Sequence, residues 1–305
     1  VRLVPGEEAT QQVREPARLV VVRQGGRMEL DLGVPPRPGW DVATVMVTVK
    51  AYPVIGRRTG ESVCVAGVRL DRGQPEWIRL FPVPFRSLDA TRQFEKYALV
   101  QLRLRQRDGS DRRPESCQPD LDSLRIGPTL DTRRRWALRW DALGDLVGAT
   151  TACALITGAR RSAQAAPSLG LIAPREVLDV RVEENPDYRP GGGRPDVDLF
   201  GTEIEALEAQ PFVVRIRYRC EDRACRRHEQ TVVDWEAGQL GRRMLAEGHG
   251  RGRARELVQQ KYEQICSSGH DTYFYLGNQH QHPTSFLILG AFWPPAGSRP
   301  AATLF

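Results

Sequence analysis

No run of about 18 or more uncharged apolar residues occurs in the 305-residue chain, which excludes a membrane-spanning helix. The opening stretch, VRLVPGEEATQQVREPARLV, carries acids where a secretory signal needs an apolar core, so the expectation is a soluble, cytoplasmic protein. Cysteine is scarce: six residues, at 64, 117, 153, 220, 225 and 266, are too few and too scattered for a disulfide scaffold in a protein of this size. Cys64 and Cys153 sit in apolar runs, VCVAGV and TACALIT, where a thiol is expected to act as a small buried hydrophobe. Lysine is scarcer still. Of 44 basic residues only Lys50, Lys96 and Lys261 are lysine, and arginine carries the rest of the +6 net charge.

Several catalytic signatures are missing as well. There is no G-x-x-x-x-G-K-[ST] loop to cradle phosphates and no G-x-G-x-x-G after a strand, while Ser267 and Ser285 lack a nucleophile elbow. GGGR at 191–194, flanked by prolines, reads as linker, and no repeat of fixed period is present.

What is present reads mostly as strand. Residues 1–38 form an N-terminal arm mixing charge, glycine and proline. Within 39–184, VATVMVTV, ESVCVAGVRL, EWIRLFPV and YALVQLRLR are strand-length runs bounded by turn residues, which predicts an OB-like antiparallel β-barrel region. RSLDATRQFEKY has helical spacing, RQRDGSDRRPESCQPDLDS reads as a loop, and TRRRWALRWDALGDLV as an amphipathic helix. ACALITGA and LGLIAPREVLDVRVEE read as further strands, completing the first barrel or opening a second. Residues 185–210 are a linker with an acidic tail, and 211–305 form a smaller α/β module. The fold class is therefore α+β, mostly β.

The module opens on PFVVRIRYRC, followed at once by EDRACRRH. Cys220, Cys225 and His228 thus lie in a hairpin-like loop, with soft thiolates and an imidazole that suit structural zinc. A fourth ligand is missing nearby; Cys266, His270, His280 and His282 are candidates, the first two favoured. Arg215, Arg217, Arg219, Arg226 and Arg227 surround the loop, favouring thiolate and offering phosphate contacts. Asp234 and Glu236 flank Trp235 and could hold magnesium in a nuclease, but no companion lysine lies beside them, and Asp234 as a helix N-cap is the preferred reading. In the barrel region Tyr52, Arg57, Arg58, Trp77, Arg79 and Arg86 interleave aromatics with arginine, as barrels that stack bases do.

ESVCVAGVRLDRGQPEWIRLFPVPFRSL, with SLGLIAPREVLDVRVEE further on, resembles bacterial proteins built from two OB-type barrels, through Cys64, Ala66, Gly67, Trp77, Ile78 and Arg79. The resemblance covers about half of the chain. It implies a β-barrel module of mobile elements or antiviral defence and names no catalytic residue. The expectation is nucleic-acid binding by arginine contacts and aromatic stacking, with DNA or RNA left open. The alternatives are a metal-dependent nuclease using Asp234 and Glu236, or an adaptor subunit binding protein partners.

Overall fold

The computed structural model describes residues 30–51, 54–56, 60–107, 111, 113–190, 196–197, 203–204 and 208–300. The aliphatic runs of the first half become β1 (Asp41–Lys50), β2 (Val54–Gly56), β3 (Gly60–Arg69), β4 (Glu76–Val83), β5 (Ala98–Gln106) and β6 (Ser116–Thr129). Their order is β1-β5-β6-β4-β3-β2, and β1 also pairs with β3, so five strands close on themselves. The barrel pairs are antiparallel except β4 with β6. This is an OB-like path. Inward residues such as Val45, Val65, Leu80, Val100 and Leu102 fill the barrel. A Cβ at Gly67 would stand 2.4 Å from the Met46 carbonyl oxygen, so the Cys-x-Ala-Gly spacing reflects the close crossing of β3 over β1.

Two local expectations change. The run from Arg105 to Ser123, read as a loop, contributes the first half of β6. Register shifts let β6 follow β5 despite Pro119 and its acids. Arg103 on β5 holds Asp120 at 2.8 Å. The segment with helical spacing gives two short 3-10 turns, Phe85–Ser87 and Ala90–Arg92, because Phe85 and Phe94 turn into the barrel instead of sharing one long helix face.

The chain then forms α1 (Arg133–Leu143), α2 (Ala152–Arg161), β7 (Leu169–Ile172), β8 (Pro174–Glu184), the two-residue strands β9 (Asp196–Val197) and β10 (Glu203–Ile204), β11 (Phe212–Cys220) and β12 (His228–Val232). It ends with α3 (Trp235–Ala246), α4 (Arg251–Ile265), β13 (Tyr273–Asn278) and β14 (Phe286–Phe292). ACALITGA is helix, not strand. Thr151 caps it by accepting from the Ala154 N–H at 3.0 Å, and Ala152, Leu155 and Ala159 recur at helical spacing on the buried face.

The second sheet runs β7-β13-β14-β12-β11-β8. Its two outer strands are consecutive pieces of chain broken only at Ala173, so this sheet also closes. It repeats the first path: a bent opening strand shared between two neighbours, and a parallel pair, β12 with β14. Residues 169–184, grouped from the sequence with the first barrel, hydrogen-bond into this second sheet. The mostly-β reading holds, and the C-terminal region is itself a strand-closed unit with α3 and α4 against it.

A third core joins the two units. Met46, Val68 and Leu99 from the first meet Leu171, Tyr275 and Phe292 from the second, with Trp136 and Trp140 of α1 packed between them. The end of β1 touches the second unit directly through a bridge between Ala51 and Asp234. Leu30 of the N-terminal arm joins the same core, and Gln101 fixes it by donating to the Leu30 carbonyl at 2.9 Å. No helix among the described residues is long and apolar enough to cross a membrane.

Candidate functional site

β11 ends at Cys220 and β12 begins at His228, so the hairpin brings both ligand candidates to one end of the second barrel. The intervening turn returns Cys225, whose Sγ accepts the Cys220 N–H at 3.4 Å. The fourth member comes from elsewhere in the chain. Cys153, in the first turn of α2, lies with its Sγ 3.3 Å from His228 Nε2, and Cys220 Sγ is 3.5 Å from the same nitrogen. The ligand atoms of Cys153, Cys220, Cys225 and His228 all lie within 4.8 Å of one another, so this cluster can hold a metal ion. Cys220 and Cys225 are buried, and Tyr218 packs beside the His228 ring at 5.3 Å.

The electrostatics favour a cation. Burial pushes the Cys153 thiol up to about 12, and its bonds and charge contacts with Cys220 and Cys225 push the same way. Cys220 moves down: burial works against its thiolate, but the backbone N–H groups of Cys153 and Asp222 outweigh it. Burial also lowers His228, keeping the imidazole neutral as a ligand must be. Three crowded sulfurs that resist ionising together gain most from a shared divalent charge.

The expected fourth ligands are corrected by this geometry. Cys266 caps α4, where burial raises its thiol to about 12, and His270 lies against Trp293 with Nδ1 3.1 Å from the Gln264 carbonyl. Neither belongs to the cluster. Cys153 lies 75 residues before His228, in an apolar run that reads from sequence as strand, so local spacing does not connect it to the loop. The helix signal was there, in Thr151 and the i, i+3, i+7 spacing of Ala152, Leu155 and Ala159.

Two described members of the proposed stacking surface of the first barrel, Trp77 and Arg79, are engaged within the chain. Trp77 packs edge-on to Tyr275 at 6.2 Å. Arg79 is 2% exposed and turned inward: Nε donates to Ser168 Oγ at 2.9 Å, one terminal nitrogen to the Ser168 carbonyl at 2.7 Å, and the other faces Cys64 Sγ at 3.4 Å. It is a strut between the barrels, which no polyanion reaches. Arg86 is half-buried beside a pocket at Lys50, and Tyr52, Arg57 and Arg58 lie outside the described residues. On β11 each arginine meets an acid of β8: Arg215 with Glu183 at 2.6 Å, Arg217 with Asp179 at 2.8 Å, and Arg219 with Glu176. The strand's positive face is thus neutralised within the chain. Arg223, Arg226 and Arg227 on the cysteine loop are exposed, and no ion pair engages them among the described residues.

Asp234 does cap α3, accepting from the Glu236 N–H at 3.1 Å. The lysine absent from its sequence neighbourhood arrives from the first barrel: Lys96 Nζ stands 3.2 Å from both Asp234 and Glu236. Burial works against the Lys96 charge, but the two carboxylates outweigh it and hold the ammonium protonated. Asp234 is pushed upward by burial, with Lys96 opposing. An ammonium therefore occupies the position between the carboxylates that magnesium would need. A Cβ at Gly290 would lie 2.9 Å from Asp234 Oδ2 and 3.0 Å from Lys96 Nζ, so glycine there leaves room for the pair.

The model of a domain of unknown function (DUF8757) matches residues 148–305, and that of another (DUF8758) matches residues 41–145. No curated protein matches the chain. Among solved structures, a murine DNA binding protein bound with double-stranded DNA aligns over 83% of this chain and 97% of that chain at 8% identity and a TM-score of 0.25. A superposition that loose carries no argument about fold or binding.

Proposed function

This chain belongs to the family of the domain of unknown function DUF8757, and we propose that it is a nucleic-acid-binding protein of two OB-type barrels, the second locked by structural zinc. The observation that carries this reading is the loop from Cys220 to His228. Its ligand-bearing side turns into the barrel, while Arg223, Arg226 and Arg227 are exposed. A tetrahedral zinc ion with bonds of about 2.0 to 2.3 Å spaces its ligands by roughly 3.5 to 3.8 Å. The sulfur to nitrogen distances of 3.3 and 3.5 Å fit that spacing closely. A three-thiolate, one-imidazole set with no open position suits a structural ion. The unbridged cysteines suit a reducing cytoplasm. A place in bacterial mobile elements or defence, with protein partners, rests on the two-barrel resemblance.

Binding then works by charge, with arginine forks on phosphates, and the packing of half-buried Trp77 against Tyr275 commits one candidate stacking platform to the fold. The test is fluorescence anisotropy of single- and double-stranded DNA and RNA across a salt series, beside elemental analysis. One zinc per chain is expected. Replacing Arg223, Arg226 and Arg227 by glutamate should weaken binding and flatten the logarithmic salt slope by about 2 to 3, since each lost phosphate contact removes roughly 0.7 to 0.9. Binding that ignores salt, or that the triple variant leaves intact, would overturn the reading.

A further inference from the structure

The cysteine loop lies at one end of β12, and at the other end, six residues on, Asp234 meets the first barrel through the bridge to Ala51. Around that bridge the surface opens into three adjoining pouches of about 690, 430 and 490 Å³. Lys96, Glu236 and Trp293 line both the first and the second, and Lys50 and Glu95 both the first and the third. All three lysines of the chain are here: Lys50 and Lys96 in the first pouch, Lys261 in the second.

In a chain that uses arginine almost everywhere, that gathering is informative. Lysine offers a compact ammonium with three rotatable donors and no planar fork, which suits a phosphate approached end-on in a confined space. One lysine has a plain structural duty, since Lys96 is bound to Asp234 and Glu236. The other two do not. Lys50 Nζ donates to the Phe94 carbonyl at 3.2 Å and lies 4.9 Å from the Phe85 ring centre. Lys261 Nζ meets Gln264 Oε1 at 3.2 Å and stands 4.4 Å over Trp293. Neither ammonium forms an ion pair with a carboxylate among the described residues. Burial lowers the Lys50 pKa, with Glu236 and Asp234 opposing the shift, and a bound anion beside it would favour the ammonium. Arg139, stacked 3.8 Å from the Tyr97 ring centre, is the third cation in the wall of the first pouch.

We propose that this cleft between the barrels binds an oligophosphate, the phosphate chain of a free nucleotide or of a nucleic-acid 5′ end, through Lys50 and Lys261. The largest pouch has the size of small-ligand sites, and both barrels supply its walls. The site is separate from the arginine loop and stands whether or not that loop binds nucleic acid.

The full-length protein is titrated by calorimetry with three probes: tripolyphosphate, a nucleoside triphosphate, and a short oligonucleotide with or without a 5′-triphosphate. Saturable tripolyphosphate binding is expected, together with a change in tryptophan fluorescence from Trp293. Preference for the nucleoside triphosphate assigns the free nucleotide, and preference for the phosphorylated oligonucleotide over its unphosphorylated form assigns the strand end. Lys50→Met and Lys261→Met should each weaken binding about tenfold with an unchanged melting curve, whereas the Arg223, Arg226 and Arg227 triple variant should bind tripolyphosphate as the parent does. Should Lys50→Met fail to fold, Lys261→Met decides alone, because its side chain lies on the outer helix α4. Absence of binding by all three probes, or full affinity in the folded lysine variants, overturns the proposal.

Discussion

The two barrels follow the same strand path around apolar interiors, and the second adds to that filling a cluster that could hold a metal ion. In the first, only two 3-10 turns fill the interval between its third and fourth barrel strands, and aliphatic packing closes the interior. In the second, α3 and α4 occupy that interval, and the far end of the sheet gathers three thiols and an imidazole. A strand path is therefore compatible with more than one lock. A metal-ready cluster appears where the β11–β12 hairpin must also be tied to a separate helix, α2.

The sharpest way to break this contrast is to remove the metal proposed for the cysteine cluster. Chelation, or Cys153→Ala, should strip amide-exchange protection from 153–161 and 212–232 while 41–106 keeps its protection. The upper limit of the effect is the roughly 10 to 16 kcal/mol that structural zinc contributes in small zinc domains. Uniform loss across both barrels, or no loss, would erase the distinction between their locks.

Next in size is the strut between them. Arg79 reaches from β4 to Ser168, and Glu115 receives both the N–H and the hydroxyl of Ser168, at 2.8 and 2.7 Å. Arg79→Ala leaves these buried groups without their cation and should cost about 3 to 5 kcal/mol in urea unfolding, with little recovery in Arg79→Lys. A loss under about 1 kcal/mol would mean that the barrels are joined by the apolar core alone.

A smaller, pH-dependent effect is expected at Asp111. This buried carboxylate is held well below the usual range: burial opposes its charge, but bonds from Arg113 and Ser116 outweigh that. Arg113 in turn donates to the Asn278 carbonyl of the second barrel at 3.2 Å. A depressed folded pKa stabilises above the unfolded value of about 3.9 and ceases to do so as the pH falls through the folded value. Asp111→Asn should therefore cost about 2 to 3 kcal/mol at pH 7, and the gap to the parent should begin to narrow below about pH 4 and close as the pH falls through the folded value. A gap that persists in acid would show that the side chain's shape, not its charge, matters.

Legibility in the sequence followed sequence distance. Most strands of both barrels, though not β6, the cap at Asp234 and the ligand trio Cys220, Cys225 and His228 could be read because each signal lies within a dozen residues, in alternation, capping chemistry or loop spacing. Composition alone also excluded membrane helices and a disulfide scaffold. Burial of Arg79, neutralisation of the β11 arginines by β8, Cys153 as fourth ligand and Lys96 between Asp234 and Glu236 could not be read this way. Each depends on partners from 32 to 140 residues apart, as Arg217 with Asp179 does through strand register and Lys96 with Asp234 across the inter-barrel core. Local residue order sets which elements form; whether an arginine on a strand faces solvent or a buried serine is set by the packing of one barrel against the other, where desolvation decides which charges must find partners.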